Sequence, residues 1–66
     1  MRLIKIENQI GETIAVNAIN ITTVKAIRGT VLICLSGGST ISTKFTSIPA
    51  AVDYIQRAPS MSMGVS

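Results

Sequence analysis

The chain has 66 residues, of which 47% are hydrophobic and 14% charged, and its six Lys and Arg against three Asp and Glu give a net charge of +3. With no histidine and one cysteine, it has no internal disulfide and no ligand set for a structural zinc ion. We therefore expect one small domain without a cofactor, stabilised by association with further copies of itself as a dimer or larger assembly.

The first two predicted strands form a hairpin. Alternation of apolar and polar residues predicts a strand over 3–7 and a second strand over 12–17. Gly11 lies in the connection, where glycine tolerates backbone conformations that other residues resist. The inward-facing residues of the two strands are predicted to be Ile4, Ile6, Ile14 and Val16.

The third and fourth predicted strands carry two irregular features. The apolar phase changes at Thr22-Thr23 within a strand predicted over 19–28, which indicates a bulge or bend of the kind found in curled sheets. The next strand is predicted over 30–36 and is apolar on both faces over 31–35. We expect this strand to be central in its sheet or to be covered by another subunit.

The last predicted strand is followed by a change of apolar period. Gly37-Gly38 predicts a two-residue hairpin turn, and a fifth strand is predicted over 39–45. Helical spacing then begins, with a predicted buried stripe of Ile48, Val52 and Ile55. The predicted end signals of this helix are Thr46 or Ser47 as the N-cap, Pro49 in the first turn, an Asp53–Arg57 pair and Pro59 after the last turn.

Together these elements predict a mainly β (α+β) fold. We expect four to five short antiparallel strands in a curled sheet, followed by one C-terminal helix. They form a single domain over 1–58, and the remaining residues 59–66 are predicted to be a flexible tail.

Catalysis is not expected from this set of side chains. General acid–base chemistry near neutral pH uses histidine or paired carboxylates, and Glu7, Glu12 and Asp53 fall on separate predicted elements. Cys34 lies between aliphatic residues, which favours a buried and inert thiol over a nucleophile. We therefore predict a protein that is not an enzyme.

The candidate binding residues form two groups. Basic side chains are candidates for contact with nucleic-acid phosphates, although cations as dispersed as these are also typical of ordinary solubilising charge. These cations are Lys5, Lys25, Arg28 and Lys44. The candidate oligomer interface consists of Leu3, Leu32 and Cys34.

No contact with a membrane is expected. The longest apolar run, 31–35, is far shorter than a spanning helix requires, and the first residues lack the apolar core of a secretory signal. We expect the protein in the cytoplasm, or in the host cytoplasm if it is viral.

Motifs along most of the chain resemble the small FlbD-type flagellar proteins and similar short proteins of phages and bacteria. They are Val16-Asn17-Ala18 before an isoleucine, Thr30-Val31 leading into Leu35-Ser36-Gly37-Gly38, and Phe45-Thr46-Ser47-Ile48 with Val52 and Ile55. This resemblance implies a non-enzymatic accessory protein. With the composition, it predicts a homo-oligomeric module that acts through protein–protein contacts.

A second resemblance, of the scaffold, is to the carbon-storage-regulator family of small RNA-binding translational regulators. It is carried by Gly11-Glu12-Thr13-Ile14, by Val24 to Arg28 with Gly29, and by Asp53-Tyr54-Ile55-Gln56. The chain departs from that family in having Asn8-Gln9 after the first strand and Gly37-Gly38 as a turn. The resemblance implies a strand-exchanged homodimer that binds GGA-containing RNA, which is the alternative function.

Overall fold

A computed structural model describes residues 2–61 and has the mainly β (α+β) fold expected from the sequence, with strands followed by a C-terminal helix. The five strands are β1 (Leu3–Glu7), β2 (Thr13–Asn17), β3 (Ile21–Ile27), β4 (Thr30–Leu35) and β5 (Thr40–Ser42). A short 3-10 helix (Ala18–Asn20) joins β2 to β3, and the α-helix α1 spans Ile48–Arg57.

The strands form two antiparallel sheets rather than the single curled sheet that was expected. One sheet is the β1–β2 hairpin, and the other has the order β3–β4–β5, so β4 is central as predicted. Backbone pairing between the sheets is limited, within the described residues, to an isolated bridge between Asn8 and Thr43 and a hydrogen bond from Gln9 N to Ser42 O, 3.0 Å. The two sheets do not join into one continuous sheet because β5 ends at Ser42, one residue before the bridge at Thr43.

The core lies between the two sheets and the helix. Alternation along β1 buries Ile4 and Ile6 completely, and along β4 it buries Val31 and Ile33 completely. Side chains two positions apart share one face of a strand, so each pair lies on the inner face of its own strand. Ile4, Ile6 and Ile33 belong to one buried cluster, which also contains Val16, Ile41 and Ala58.

The predicted bulge in the third strand is confirmed. The β3–β4 register shifts between Ile21 and Thr23, and the extra residue, Thr22, donates its hydroxyl hydrogen to Cys34 O at 3.3 Å. Ile19, however, was expected in this strand and lies instead in the 3-10 helix, where it is 79% exposed. The Asn17 side chain accepts a hydrogen bond from Ile19 N, 3.3 Å, and so caps that helical turn.

Gly37-Gly38 was predicted to form a two-residue hairpin turn, but the two-residue turn of this chain lies between β3 and β4. A hydrogen bond from Leu35 N to Ser39 O, 2.8 Å, closes a three-residue loop that contains Gly37-Gly38. The two-residue connection is Arg28-Gly29, between the paired residues Ile27 and Thr30. Both of its residues have positive φ, 52° and 80°, which is the geometry whose twist matches paired strands.

The helix begins as predicted, but its buried face differs. Ser47 is the N-cap and its Oγ accepts from Ala50 N at 3.2 Å. Ala51 is completely buried, whereas Ile48, predicted in the buried stripe, is 37% exposed. A small side chain at the contact lets the helix backbone approach the strands closely, and the stripe is therefore centred on Ala51 rather than on Ile48.

The two ends of the described chain meet at the end of α1. One Nη of Arg2 donates to Ile55 O at 2.6 Å and to Ala58 O at 2.8 Å. The backbone N–H of Met61 donates to Leu3 O at 2.7 Å. The start of the predicted tail is thus bonded to β1, and the rest of that tail, residues 62–66, lies outside the described residues.

Candidate binding surfaces

The four candidate phosphate-binding cations fall into two separate pairs. Lys5 and Lys44 lie on either side of Tyr54, whereas Lys25 and Arg28 belong to β3 and the turn after it. Within residues 2–61, no hydrogen bond or ion pair connects one pair to the other. The fold therefore divides these cations between two surfaces.

The first surface is a cleft over the outer face of β1, which we call the Tyr54 cleft. It consists of two hollows of about 300 and 350 Å³ that share Tyr54 as a wall. The residues that line it are Lys5, Glu7, Lys44, Phe45, Tyr54, Pro59, Ser60 and Met61.

Two aromatic side chains form the apolar part of the Tyr54 cleft. The rings of Phe45 and Tyr54 lie 5.4 Å apart between centroids and are inclined at 49°, an arrangement favoured by the ring quadrupoles. The hydroxyl of Tyr54 donates to Lys5 O at 2.6 Å and so fixes the helix to β1. They are the only aromatic residues of the chain, so a base or an apolar side chain has no other aromatic contact.

The hydrogen-bonding direction of β1 determines what its backbone offers to this cleft. Ala18 N donates to Arg2 O at 2.8 Å, and Asn8 N donates to Glu12 O at 2.9 Å. Because hydrogen-bonded pairs alternate along an antiparallel ladder, the even-numbered residues of β1 bond to β2. The odd-numbered residues 3, 5 and 7 therefore direct their N–H and C=O groups to the opposite edge, toward the cleft.

This second edge of β1 is bonded at both ends and also at Lys5 O, which accepts from the Tyr54 hydroxyl at 2.6 Å. Met61 N bonds to Leu3 O at one end, and Gln9 N bonds to β5 at the other. In the part of the chain that the structure describes, the backbone N–H groups of Lys5 and Glu7 donate to no other group. The N–H groups of Lys5 and Glu7 are thus the donors that this edge offers between its bonded ends.

The charge of the Tyr54 cleft is positive on balance. Lys44 Nζ lies 3.4 Å from Glu7 Oε2, and the two side chains are 52% and 54% exposed, so the pair is weakly held. Lys5 adds a second cation whose side chain makes no ion pair among the described residues. An acidic group is therefore favoured over a basic one at this site.

The second surface is the outer face of the β3–β4–β5 sheet. Leu32 lies between Lys25 and Ser42 across the sheet, and Cys34 pairs with Thr40 on β5. Leu32 and Cys34 are half-buried although they face away from the core, and Ile27 on the same face is 48% exposed. This face is mixed, with hydroxyl groups around a narrow apolar centre.

The structure does not bring the three candidate interface residues together. Leu32 and Cys34 are neighbours on one face of β4, but Leu3 lies on β1 in the other sheet, beside Met61. The role of Leu3 in self-association therefore stays a prediction from sequence, separate from that of the β4 face.

Two important residues were not identified from sequence patterns. Tyr54 bonds to Lys5 across 49 positions of the chain, and Arg2 bonds to Ala58 across 56. Local periodicity carries no information on contacts of this range. The one sequence signal for Tyr54 was its rarity, as one of two aromatic residues in the chain.

The described residues offer no group of three or more metal-liganding side chains. Over the same part of the chain, no helix has the length and hydropathy needed to cross a membrane. The chain matches no protein-family model, no curated protein and no solved structure. The resemblances to the FlbD-type and carbon-storage-regulator families therefore remain predictions.

Proposed function

We propose that this chain is a non-enzymatic, homo-oligomeric module that acts through protein–protein contacts in the cytoplasm. We further propose that its Tyr54 cleft binds an extended, acidic peptide segment of a partner protein. The observation that supports this most strongly is the pair of outward-directed N–H groups of Lys5 and Glu7 on the β1 edge, which lie beside two cations and an aromatic pair.

The recognition is by addition of a short strand to an exposed sheet edge. The N–H groups of Lys5 and Glu7 point away from β2 and are donors for carbonyl groups of an extended peptide. Side chains of such a peptide alternate in direction. One set therefore contacts the rings of Phe45 and Tyr54, and the other reaches the ammonium groups at the rim.

Titration with short blocked peptides, followed by amide NMR, tests this proposal. The probe is a hexapeptide of alternating glutamate and valine, and its control alternates lysine and valine. We expect the acidic peptide to shift the Lys5 and Glu7 amide signals saturably, with weak affinity in fast exchange. A response to neither peptide, or an equal response to both, would contradict the proposal.

Charge-reversal variants supply the matched control. Lys5→Glu is expected to abolish the shifts caused by the acidic peptide, because it reverses a rim charge of the Tyr54 cleft. Lys25→Glu makes the same charge change on β3, outside the cleft, and should leave those shifts intact. An equal loss in both variants would indicate a general effect of net charge rather than a site.

The homo-oligomeric part of the proposal is supported by apolar side chains left in contact with solvent. Four isoleucines are substantially exposed in one chain: Ile10 at 78%, Ile19 at 79%, Ile27 at 48% and Ile48 at 37%. Association of copies would remove part of this surface from water. Light scattering across a range of concentrations tests it, and a monomer at every concentration would refute it.

RNA binding is the second candidate function, and the backbone at Arg28 favours it. Arg28 holds φ at 52° at the tip of the β3–β4 hairpin, a conformation that a non-glycine residue adopts at a cost. Backbone conformations of this kind occur more often at residues whose side chains bind a ligand or take part in function. In this candidate function, Arg28, Lys25, Lys5 and Lys44 contact phosphates.

Titration with mixed-sequence single-stranded RNA distinguishes this candidate from peptide binding. The expected affinity falls steeply as salt is added, because bound counterions are released. Lys25→Glu with Arg28→Glu should remove RNA binding and leave the peptide-induced shifts at the Tyr54 cleft. Absence of binding at low salt would eliminate the RNA candidate.

A further inference from the structure

We propose that two copies of this chain form a two-fold dimer by pairing their β2 strands antiparallel, edge to edge, with Ala15 at the symmetry axis. The occupant of the free β2 edge is thus a second copy. This inference rests on the self-association proposed above, and it is independent of the Tyr54 cleft, which lies at the opposite edge of the β1–β2 sheet.

The backbone of β2 has an unpaired edge. Among residues 2–61, β2 pairs with β1 and with no other strand. Since the even-numbered residues of the hairpin bond across it, the N–H and C=O groups of Thr13 and Ala15, and the N–H of Asn17, point to the free edge. These groups are the ones that another antiparallel strand would bond.

The β2 edge lacks the features that protect strand edges from association. Its five residues, Thr13–Asn17, include no charge, no proline and no bulge. The β3 edge of the second sheet has a bulge at Thr22, a lysine at position 25 and Arg28 beyond its end. Bulges and lysines are the usual means of preventing edge pairing. The β1 edge is bonded by Met61 N, by the Tyr54 hydroxyl and, just past its end, by Gln9 N to Ser42 O on the β5 edge, so the β2 edge is the least protected of the four.

The two most exposed large apolar side chains lie at opposite ends of β2. Ile10 precedes the strand and is 78% exposed, and Ile19 follows it and is 79% exposed. In an antiparallel pair centred on Ala15, Ile10 of one copy lies beside the Ala18–Asn20 segment of the other. Each copy then brings its Ile10 close to Ile19 of the other, and both leave water.

The charges near this edge permit the same arrangement. Lys5 and Glu7 lie opposite Ala15 and Thr13 in the β1–β2 ladder. Glu12 directly precedes the strand, and its carboxylate accepts a hydrogen bond from Asn8 Nδ2 at 3.0 Å. In the proposed register, each Glu12 lies opposite Ala18 of the other copy. The two carboxylates are therefore at opposite ends of the paired strands and do not repel each other strongly.

A charge-pairing experiment at Ala15 tests the dimer. Ala15 is exposed, so Ala15→Lys and Ala15→Glu are expected to fold, which circular dichroism checks. Each variant alone should be less dimeric by light scattering than the unchanged chain at the same concentration, because like charges meet at the axis. The effect should be larger for Ala15→Lys, since Lys5 lies opposite position 15 in the β1–β2 ladder. Mixing the two variants in equal amounts should restore the dimer.

Two further variants locate the interface. Thr23→Lys places the same charge at an exposed position on β3 and should leave the dimer intact. Ile19→Ser should raise the dissociation constant by about tenfold or more, since it removes a buried isoleucine from each end of the interface.

Disulfide crosslinking tests the register. In a Cys34→Ser background, Ala15→Cys should crosslink with itself when a mild oxidant such as diamide is added, because the two Cα atoms at the axis are about 5.5 Å apart. Thr13→Cys should crosslink with Asn17→Cys in a mixed sample and not with itself. Crosslinking of Thr13→Cys with itself would overturn the proposed register.

The outcomes separate this inference from the proposal on which it rests. A dimer that survives both Ala15 variants and is lost in Leu32→Lys would overturn the β2 interface and leave self-association standing, through the β4 face. A chain that is monomeric at all concentrations would overturn both. Loss of the dimer in each Ala15 variant with recovery on mixing would support both.

Discussion

Single side chains connect parts of this small protein that are distant in sequence. The last carbonyl groups of a helix have no partner within the helix. At the end of α1 the Arg2 guanidinium donates to three carbonyl groups, Ile55 O at 2.6 Å, Gln56 O at 3.3 Å and that of the C-cap residue Ala58 at 2.8 Å. Its positive charge also lies at the end of the helix dipole where a cation is favoured. Arg2 therefore holds the helix onto the start of β1.

We expect Arg2→Met to lower the free energy of unfolding by about 1–2 kcal/mol, because several charge-assisted hydrogen bonds are lost. Urea denaturation measures this change. Arg57→Met is the matched control, since Arg57 is largely exposed and its one ion pair among residues 2–61 is with Asp53 in the same helix. It should cost less than about 0.5 kcal/mol. Equal losses in the two variants would show that Arg2 has no special structural role.

At the scale of elements, the turns decide how the strands pair. The β3–β4 hairpin turns through Arg28-Gly29 with both φ values positive, so the register of β3 on the central strand depends on a conformation unfavourable for arginine. Glycine at the first position would adopt it without steric cost. The turn is therefore not optimised for stability.

Arg28→Gly is expected to raise the free energy of unfolding by about 0.5–1 kcal/mol, because it relieves the positive φ at this turn. Chemical denaturation gives the value. The complementary variant, Gly29→Ala, should lower it by about 1 kcal/mol, since alanine is disfavoured at the φ of 80° found there. A destabilised Arg28→Gly variant would indicate that the arginine side chain itself contributes to the fold.

At the scale of the whole molecule, one strand separates the core from the outer surface. Val31 and Leu32 are adjacent on β4, but Val31 is completely buried while Leu32 is half-buried on the opposite, outer face. A substitution at Val31 therefore alters the core, whereas one at Leu32 alters the outer face of the sheet. This contrast allows stability and association to be tested separately.

Val31→Asp should abolish folding, because a buried unpaired carboxylate costs several kcal/mol out of a total of about 5–15 kcal/mol. Leu32→Asp should stay folded, with a loss of about 1–2 kcal/mol from the smaller apolar area removed. Circular dichroism with thermal denaturation distinguishes these outcomes. A cooperative, folded Val31→Asp variant would show that β4 does not have its inner face in the core.

Predictions from sequence succeeded where the determining interactions are local. The buried isoleucines of β1, the bulge at Thr22 and the N-cap at Ser47 all follow from patterns within a few residues. The prediction of a two-residue turn at Gly37-Gly38 was wrong, because glycine pairs permit several turn lengths and pairing of the strands selects among them. The buried stripe was misplaced at Ile48, since packing of α1 against β3 sets which helix face is covered.

The sequence by itself determined the types and order of the elements, the central strand and the apolar face of each strand, because alternation and capping act over short stretches of chain. Only the tertiary structure decided that Arg2 meets Ala58, that Tyr54 reaches Lys5, and that the β2 edge stays free between Ile10 and Ile19. These contacts join or expose residues far apart in the chain, and their energies depend on how the sheets pack rather than on any local pattern.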